Sequence, residues 1–488
     1  MTHDDLRVAT ASARRMDYPA APFSPAARPT WAGRLPYELE VSGAGSGVYE
    51  AVVDVVAGLC GDGAAGPLTG ALPAGGRVVI KPNLVLDQHP LGAPGTECTI
   101  THASLIRPLI DMVLAARPDA HITICDVPLQ SARWSVMLER GGYDQLIAFY
   151  SERGVRIDLL DLRREIAVMN QYNVIVERIR AERDPLGYAP VNLGTSSALQ
   201  EVIDHFDKFR ITDYGRNTVQ VHHNPERNEY LLPRTVLAAD LFINVPKLKT
   251  HRKSGLTCAM KNLIGINGDK SWIAHHRAGP QRSGGDEFER FRMKQYATWH
   301  TWNFLKQHRT TLPLAVLAKK LYYALVTRGR TIEEMKMSAD IDDLMEGSWH
   351  GNDTIWRCIA DLNHVIFHAR MDGSLAATPQ RRYLAVVDAV IAGEGEGPMQ
   401  NTPKPLGLVF GGCNPIAVDH AAAHIMGFDP ARIASISGSA RMGQFPYAAS
   451  YARGELEWVD GEPDVTPFKP NRTWAGQIER ELAAAEAV

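Results

Sequence analysis

Basic residues are concentrated in one segment of this chain, from Lys247 to Arg282. The segment carries five Lys and three Arg against a single acid, Asp269, whereas the whole chain has a net charge of −3. Like charges held this close repel one another, and an anion bound among them relieves the repulsion. A solvated basic surface is the simpler alternative. Glycines and apolar residues interrupt the basic ones, and this pattern favours a built anion site.

Lysine and histidine residues of this segment have the spacing of a reactive site. Alternation along a strand places Lys247, Lys249 and His251 on one side. Clustered ammonium groups lower one another's pKa, so that one lysine can act as a general base or a nucleophile. Binding of a multiply charged anion would use the same residues without chemistry, and the sequence does not separate these roles. The predicted catalytic residues are Lys261 and His251, and the predicted anion-binding residues are Lys247, Lys249 and Asn262.

A second anion-binding motif lies earlier in the chain, where IKPNLV is followed by TITH. We predict that Lys81, Asn83 and His102 contact the same anion. Lysine supplies a positive charge for phosphate or carboxylate, and asparagine orients oxygen atoms. The neighbouring Thr99 and Thr101 have an alternative role as caps of the helix that begins near His102.

Carboxylates follow two of the apolar runs. Asp126 ends one predicted strand, and Asp388, Glu394 and Glu396 belong to the sequence VDAVIAGEGEG. Oxygen ligands of this kind suit a divalent metal such as Mg²⁺ or Mn²⁺, so we predict these four residues as metal ligands. Glu394 is also a predicted acid–base catalyst. A glycine-rich turn with solvated acids is the alternative interpretation.

The histidine-rich loop after the basic segment, WIAHHRAGPQRSGGDEF, matches no standard zinc spacing. Adjacent residues in a strand point to opposite faces, so at most one of His275 and His276 enters a given site. We interpret this loop as a lid over the anion.

The six cysteines argue against an iron–sulfur cluster. They are scattered along the chain without CxxC spacing, and buried thiols in a reducing compartment are the simplest interpretation. Cys258 and Cys413 lie inside candidate site segments, which leaves a redox protein as an alternative.

Strands alternate with helices over much of the chain, which predicts an α/β fold: a mostly parallel sheet flanked by helices, with a helical insertion. We expect residues 1–36 to form a flexible arm. Residues 37–270 and 356–455 form the predicted core, residues 271–355 a helical insertion or cap, and residues 456–488 a tail with a short helix. Ligands of such sheets bind at the carboxyl ends of the strands, where the polar residues described above are found.

Composition restricts the class of protein. Its pI of about 6.6 and the local nature of the positive charge argue against nucleic-acid binding. No run of 18 or more uncharged apolar residues is present, which predicts no membrane span. The N-terminus lacks the apolar core of a secretory signal, so we expect a cytoplasmic protein. Nothing in the composition indicates an oligomeric state.

The motifs taken together resemble the DUF362 family, whose biochemical role is undefined. The resemblance rests on IKPNLV, NVPKLKTH, MKNLIG, VDAVIAGEGEGP, NPIAVDHAAAHIMG and ARMG, which occur in this order between residues 80 and 443. Some relatives append a cysteine-rich ferredoxin-like segment, and the resemblance therefore implies an association with iron–sulfur chemistry. This chain departs from that pattern because it has no such cysteine run.

The sequence thus predicts an enzyme that acts on a phosphorylated or carboxylate small molecule, with a divalent metal or acid–base group assisting. A metal or iron–sulfur redox protein and a non-catalytic anion-binding protein are the two alternatives.

Overall fold

The computed structural model describes residues 1–43, 45–61, 66–170, 174–211, 218–289, 310–326 and 346–481, together with five single positions between 293 and 305. A large mixed sheet of ten strands runs through the protein. Its strands are β1 (Arg7–Ser12), β2 (Arg77–Pro82), β3 (His121–Asp126), β4 (Ile157–Asp161), β11 (Leu241–Val245), β12 (Lys247–His251), β13 (Gly255–Thr257), β15 (Arg382–Glu396), β16 (Gln400–Gly412) and β17 (Glu457–Trp458).

Small sheets account for the remaining strands: β5 (Glu165–Met169) with β6 (Ile175–Arg180); β7 (Tyr188–Asn192) and β9 (His223–Asn224) with β10 (Arg227–Pro233); and β8 (Phe209–Arg210) with β14 (His276–Arg277).

The helices of the described residues are α1 (Val48–Cys60), α2 (Ala93–Glu97), α3 (Ala103–Ala116), α4 (Trp134–Gly141), α5 (Tyr143–Glu152), α6 (Thr218–His222), α7 (Arg234–Leu237), α8 (Ala259–Asn262), α9 (Leu312–Val326), α10 (Ile355–His368), α11 (Pro415–Ile425), α12 (Ala434–Ala440) and α13 (Pro446–Arg453). The 3₁₀ segments include Ala198–Lys208 and Leu263–Ile266.

The strand order of the main sheet is β17-β1-β16-β15-β11-β2-β3-β4. Neighbours from β15 through β11, β2 and β3 to β4 are parallel, whereas β1 and β15 each pair antiparallel with β16. Hydrophobic cores line the sheet, one of them built on α1 and α3 and the other on α10 and α11. The predicted α/β fold with a mostly parallel sheet is confirmed.

The strand β15 is long enough to pair with two successive strands. Its first residues pair with β11, and Pro246 then interrupts the neighbouring chain before β12 continues alongside β15. The register places Lys247 opposite Asp388. Polar residues on β12 are therefore held against β15 beyond the carboxyl end of β11.

Gly142 separates α4 from α5, because it adopts a left-handed conformation with φ of 77° between them. The prediction of a flexible arm was wrong for part of residues 1–36, because β1 forms a ladder with β16 and buries Val8 and Ala9.

The two other predicted segments are described in part. Residues 271–289 contact the core through the pairing of β14 with β8, and α9 provides helix within 271–355. Within the tail, the structure assigns β17 and turns to residues 456–481, and the remaining residues, 482–488, lie outside the described ones. Among the described residues, no helix combines the length and the apolar character needed to cross a membrane.

Candidate functional site

Lys247 forms a buried ion pair across the sheet. Its Nζ lies 2.6 Å from Asp388 Oδ2, and neither side chain is exposed. The Tyr18 hydroxyl donates to Asp388 Oδ1 at 2.8 Å and lies 2.5 Å from Lys247 Nζ. The backbone N–H of His102 donates to the second carboxylate oxygen at 3.1 Å. Burial lowers the pKa of Lys247 although the carboxylate opposes this shift. The charge of this predicted anion ligand is thus already compensated within the protein.

His102 stacks on the ring of Tyr18, with 4.1 Å between ring centroids, and its side chain caps α3 by accepting from Ser104 N–H. A helix cap was the alternative role predicted for this motif. The predicted capping residues were Thr99 and Thr101, whereas the structure assigns the cap to His102. Desolvation lowers the pKa of His102 to about 3, so its imidazole is neutral.

A second buried ion pair joins the ends of β2 and β3. Lys81 Nζ lies 2.7 Å from Asp126 Oδ1, with side chains 1% and 4% exposed. Asp126 also accepts from the backbone N–H groups of Leu84 and Val127. The backbone of Gly265 passes so close that a Cβ there would lie 2.5 Å from both Lys81 Nζ and Asp126 Oδ1.

Two asparagines connect this ion pair to β12. Asn262 Oδ1 accepts from Lys81 Nζ and from Asn83 Nδ2, while its own amide donates to Asn244 at 2.7 Å. Asn83 Oδ1 accepts from Lys249 Nζ at 3.1 Å. Because both amides are satisfied internally, Asn83 and Asn262 orient the lysines around them.

Three lysines of the cluster have no carboxylate partner among the described residues. Lys249 Nζ donates to Thr99 O at 2.6 Å and Lys270 Nζ to Ile264 O at 2.7 Å. Lys261, on α8, makes no hydrogen bond or ion pair within the described part of the chain, and its side chain is partly exposed. Within the described part of the chain, no acid therefore forms a direct ion pair with these three residues, although the charge of Asp126 acts on Lys249 and Lys270.

The pKa values of these lysines lie near neutrality. Burial and then the charges of Lys253 and Lys81 lower the pKa of Lys261 to about 8. Burial is also the largest cause for Lys249 and Lys270, and the pKa of each falls to about 7, with the charge of Lys261 contributing to both. A bound anion would reverse these shifts because it favours the charged form of each amine.

Two neutral histidines lie beside the lysines. His251 Nδ1 accepts from the backbone N–H of Lys253 at 3.0 Å, so its neutral ring carries the proton on Nε2. His275 Nδ1 lies 3.2 Å from the carbonyl of Ile273, which assigns the proton to Nδ1 and leaves Nε2 as an acceptor. Burial, followed by nearby lysine charges that include Lys261, lowers the pKa of both rings well below the usual value.

Glu394 and Glu396, at the end of β15, have partners outside the lysine cluster. Glu394 Oε2 lies 3.1 Å from Lys404 Nζ and accepts from Lys469 N–H, and Glu396 accepts from Asn471 Nδ2 at 2.9 Å. The four predicted metal ligands are therefore not brought together. Within the described ranges, no group of three or more His, Cys, Asp or Glu residues has an arrangement that could hold a metal ion.

Part of this chain matches a known protein family. Residues 174–424, slightly more than half of the chain, match the model of the domain of unknown function DUF362. The chain belongs to the DUF362 family. The predicted membership is confirmed, and the matched range includes all of β12, α8, β15 and β16.

Two other proteins are similar to parts of this DUF362 protein, one in sequence and one in structure. A thylakoid-associated protein of Synechocystis sp. is 35% identical over 66 residues, which are 14% of this chain and 21% of that protein. A crystal structure of a Thermotoga maritima protein covers 77% of this chain and 58% of its own, at 11% identity and a TM-score of 0.31. The chain thus spans about one fifth of the curated relative and somewhat more than half of the solved chain.

Most cysteines of this DUF362 protein are buried thiols. All six are free, and five of them are buried. Cys258 and Cys413 belong to different hydrophobic cores, and burial is the largest influence raising the pKa of each thiol. A four-thiolate ligand set would require the sulfur atoms to converge as thiolates.

The predicted site residues did not include Tyr18, Lys253 and Lys270, and His275 was named only as a candidate in the loop interpreted as a lid. Tyr18 contacts Lys247 from a segment predicted to be flexible, so no local signal could have identified it. Lys270 and His275 were visible as members of the basic and histidine-rich segments, but their convergence on Lys261 depends on how those segments fold.

Proposed function

We propose that this protein is an enzyme that binds a small phosphorylated or carboxylate anion at the cluster formed by Lys249, Lys261 and Lys270. The observation that carries the proposal is the absence of a carboxylate partner for these three amines among the described residues. Lys81 and Lys247, in contrast, each have a buried aspartate at 2.6–2.7 Å. The two kinds of lysine therefore have different roles.

Electrostatics support an anion at this position. Each charged amine makes protonation of its neighbours less favourable, and the lowered pKa values reflect this repulsion. A bound phosphate or carboxylate group makes protonation of the lysines more favourable and accepts hydrogen bonds from their N–H groups. Because the cluster lies beside neutral imidazoles, it also offers groups that can give and accept a proton.

The residues have distinct proposed roles. Lys261 and His251 face the reacting part of the substrate, Lys249 and Lys270 hold its anionic group, and Asn83 and Asn262 orient the lysines. The buried ion pair of Lys81 with Asp126 stabilises this arrangement. Glu394 has no part in this site because its carboxylate is engaged by Lys404 and the backbone of Lys469.

Titration with inorganic sulfate and phosphate tests the proposal. We expect Lys261→Met and Lys270→Met to weaken binding by about tenfold or more, the loss expected for one ion contact of roughly 1.4 kcal/mol. Lys320→Met, an exposed lysine of α9, is the matched control and should bind as the parent does. Equal affinity in all four proteins would refute the site.

Turnover distinguishes an enzyme from a binding protein. A panel of phosphate esters and carboxylates that stabilise the fold would next be assayed for chemical change. Binding at the lysine cluster without conversion of any stabilising compound would contradict the catalytic part and support a non-catalytic anion-binding protein.

A further inference from the structure

The helix α9 (Leu312–Val326) presents leucine side chains to solvent. Leu314, Leu317 and Leu321 are 56%, 51% and 53% exposed, whereas Ala315 is buried. Their spacing of i, i+3 and i+7 places the three leucines on one face of the helix. The outward face of α9 is therefore apolar, which is the reverse of the arrangement expected for a surface helix of a globular protein.

The apolar face belongs to a stretch of sequence whose charged residues are all basic. Residues 290–330 contain four Lys and five Arg and no Asp or Glu, although acids outnumber Lys and Arg over the whole chain, 55 to 52. Lys320, the residue before Leu321, is exposed. The exposed leucines are thus combined with a strong local excess of positive charge.

Aromatic residues of the same stretch suit the boundary between lipid and water. The stretch contains Tyr296, Trp299, Trp302, Tyr322 and Tyr323. Trp and Tyr are enriched where lipid headgroups meet hydrocarbon, because each side chain has an apolar body and a polar group. Leucine and aromatic residues together with Lys and Arg are typical of helices that bind the surface of a membrane.

Length and charge discriminate between possible occupants of this face. With 15 residues, α9 is about 22 Å long and shorter than the ~30 Å hydrocarbon core, so it fits along a membrane and not across it. A second copy of the chain would bring two positively charged stretches together, and these repel each other. A nucleic acid would match the charge but would give the leucines no apolar environment. An anionic lipid surface satisfies both requirements.

We propose that α9 binds this protein to the surface of an anionic lipid bilayer. The helix lies in the plane of the interface, and Leu314, Leu317 and Leu321 enter the boundary between headgroups and acyl chains. Transfer of these exposed side chains out of water favours binding, and each basic residue near the surface adds attraction to the headgroups. The proposal uses none of the residues of the lysine cluster, so it is independent of the proposed function.

Flotation with lipid vesicles tests this inference. The full chain would be mixed with vesicles of phosphatidylcholine alone and with vesicles that contain about 30% phosphatidylglycerol, an anionic lipid. We expect at least about tenfold stronger binding to the anionic vesicles, and this preference should decrease at high salt because salt screens the attraction. The triple variant Leu314→Ser/Leu317→Ser/Leu321→Ser should bind anionic vesicles at least about tenfold more weakly than the parent.

Exposed apolar residues elsewhere in the chain provide the matched control. Leu91, Val221 and Met371 are 47%, 57% and 45% exposed and lie outside residues 290–330. The triple variant Leu91→Ser/Val221→Ser/Met371→Ser should bind vesicles as the parent does. Both triple variants should have the far-ultraviolet circular dichroism spectrum and the sulfate affinity of the parent, which shows that loss of vesicle binding does not come from unfolding.

Four results would overturn the inference. The first is that the parent does not bind vesicles, or binds neutral and anionic vesicles equally. The second is an equal loss of binding in both triple variants, which indicates unselective adsorption. The third is a dimer of the parent that the α9 variant dissociates in sedimentation velocity, because a second copy then covers the face. The fourth is α9-dependent binding to polyuridylate or polyglutamate that is tighter than binding to vesicles, which assigns the face to a nucleic acid or an acidic protein.

Discussion

Lys247 and Asp388 form an ion pair 2.6 Å long between two strands, and neither side chain is exposed to solvent. Removal of one member leaves an uncompensated charge in the sheet. We expect Asp388→Asn to lower the free energy of unfolding by about 3–5 kcal/mol, measured by urea unfolding. The exposed pair of Arg156 with Asp158 is the control, and Asp158→Asn should change stability by less than about 1 kcal/mol. Equal effects would show that the buried pair is not a structural requirement.

Tyr18 connects the N-terminal segment to this ion pair through its hydroxyl group. Tyr18→Phe removes the hydrogen bond to Asp388 but keeps the ring that stacks on His102. We expect a loss of about 1–3 kcal/mol in the free energy of unfolding. Met16→Ala, at an exposed side chain two residues earlier, should be close to neutral. Unchanged stability of Tyr18→Phe would contradict the assigned contact.

Gly265 is required by the second ion pair. Gly265→Ala would place a Cβ 2.5 Å from Lys81 Nζ and from Asp126 Oδ1, so one of these buried groups has to move. We expect a loss of about 2 kcal/mol or more in stability, together with weaker sulfate binding. Gly70→Ala is the control because its added Cβ meets no atom within 4 Å. A stable Gly265→Ala protein with full sulfate affinity would be the contrary result.

We expect the free energy of unfolding to increase with pH above neutrality. The pKa values of Lys249, Lys261 and Lys270 are lowered from 10.5 to about 7, 8 and 7 in the folded protein. Between these values and 10.5 the unfolded chain binds more protons, so the free energy of unfolding increases with pH in that window. Below about pH 6 these lysines are almost fully protonated in both states and contribute almost no slope. Urea unfolding at several pH values measures the slope, and Lys261→Met should reduce it.

Sulfate binding should show the opposite pH dependence. The anion favours charged lysines, so affinity should fall as pH rises through about 7 to 8, with proton uptake on binding. Calorimetry in two buffers of different ionisation enthalpy measures that uptake. Binding without proton exchange near pH 8 would contradict the assigned pKa of Lys261.

We expect Glu394 to stabilise the packing of the C-terminal segment. Glu394→Gln weakens its contacts with Lys404 and Lys469, and we expect faster proteolysis of the chain after residue 460 with unchanged sulfate affinity. The parent protein and this variant should have the same metal content by elemental analysis. A stoichiometric divalent metal that is lost in Glu394→Gln would instead support the predicted metal role.

Periodicity and motif order were sufficient for the fold class and for the family. These features depend on residues close together in the chain, so their signals are local. The concentration of basic residues around Lys247 to Lys270 was equally visible, and it indicated the segment in which the site lies.

Tertiary structure alone decided which lysines are neutralised. Lys247 and Lys249 are two residues apart on β12, yet only Lys247 meets an aspartate, because the strand register places Asp388 opposite it. Tyr18 completes that contact from the other end of the chain. Such partners are brought together by long-range pairing and packing, whose geometry is not encoded in the spacing of neighbouring residues. The sequence therefore determined where positive charge accumulates, and the fold determined which of the described lysines form an ion pair with an aspartate.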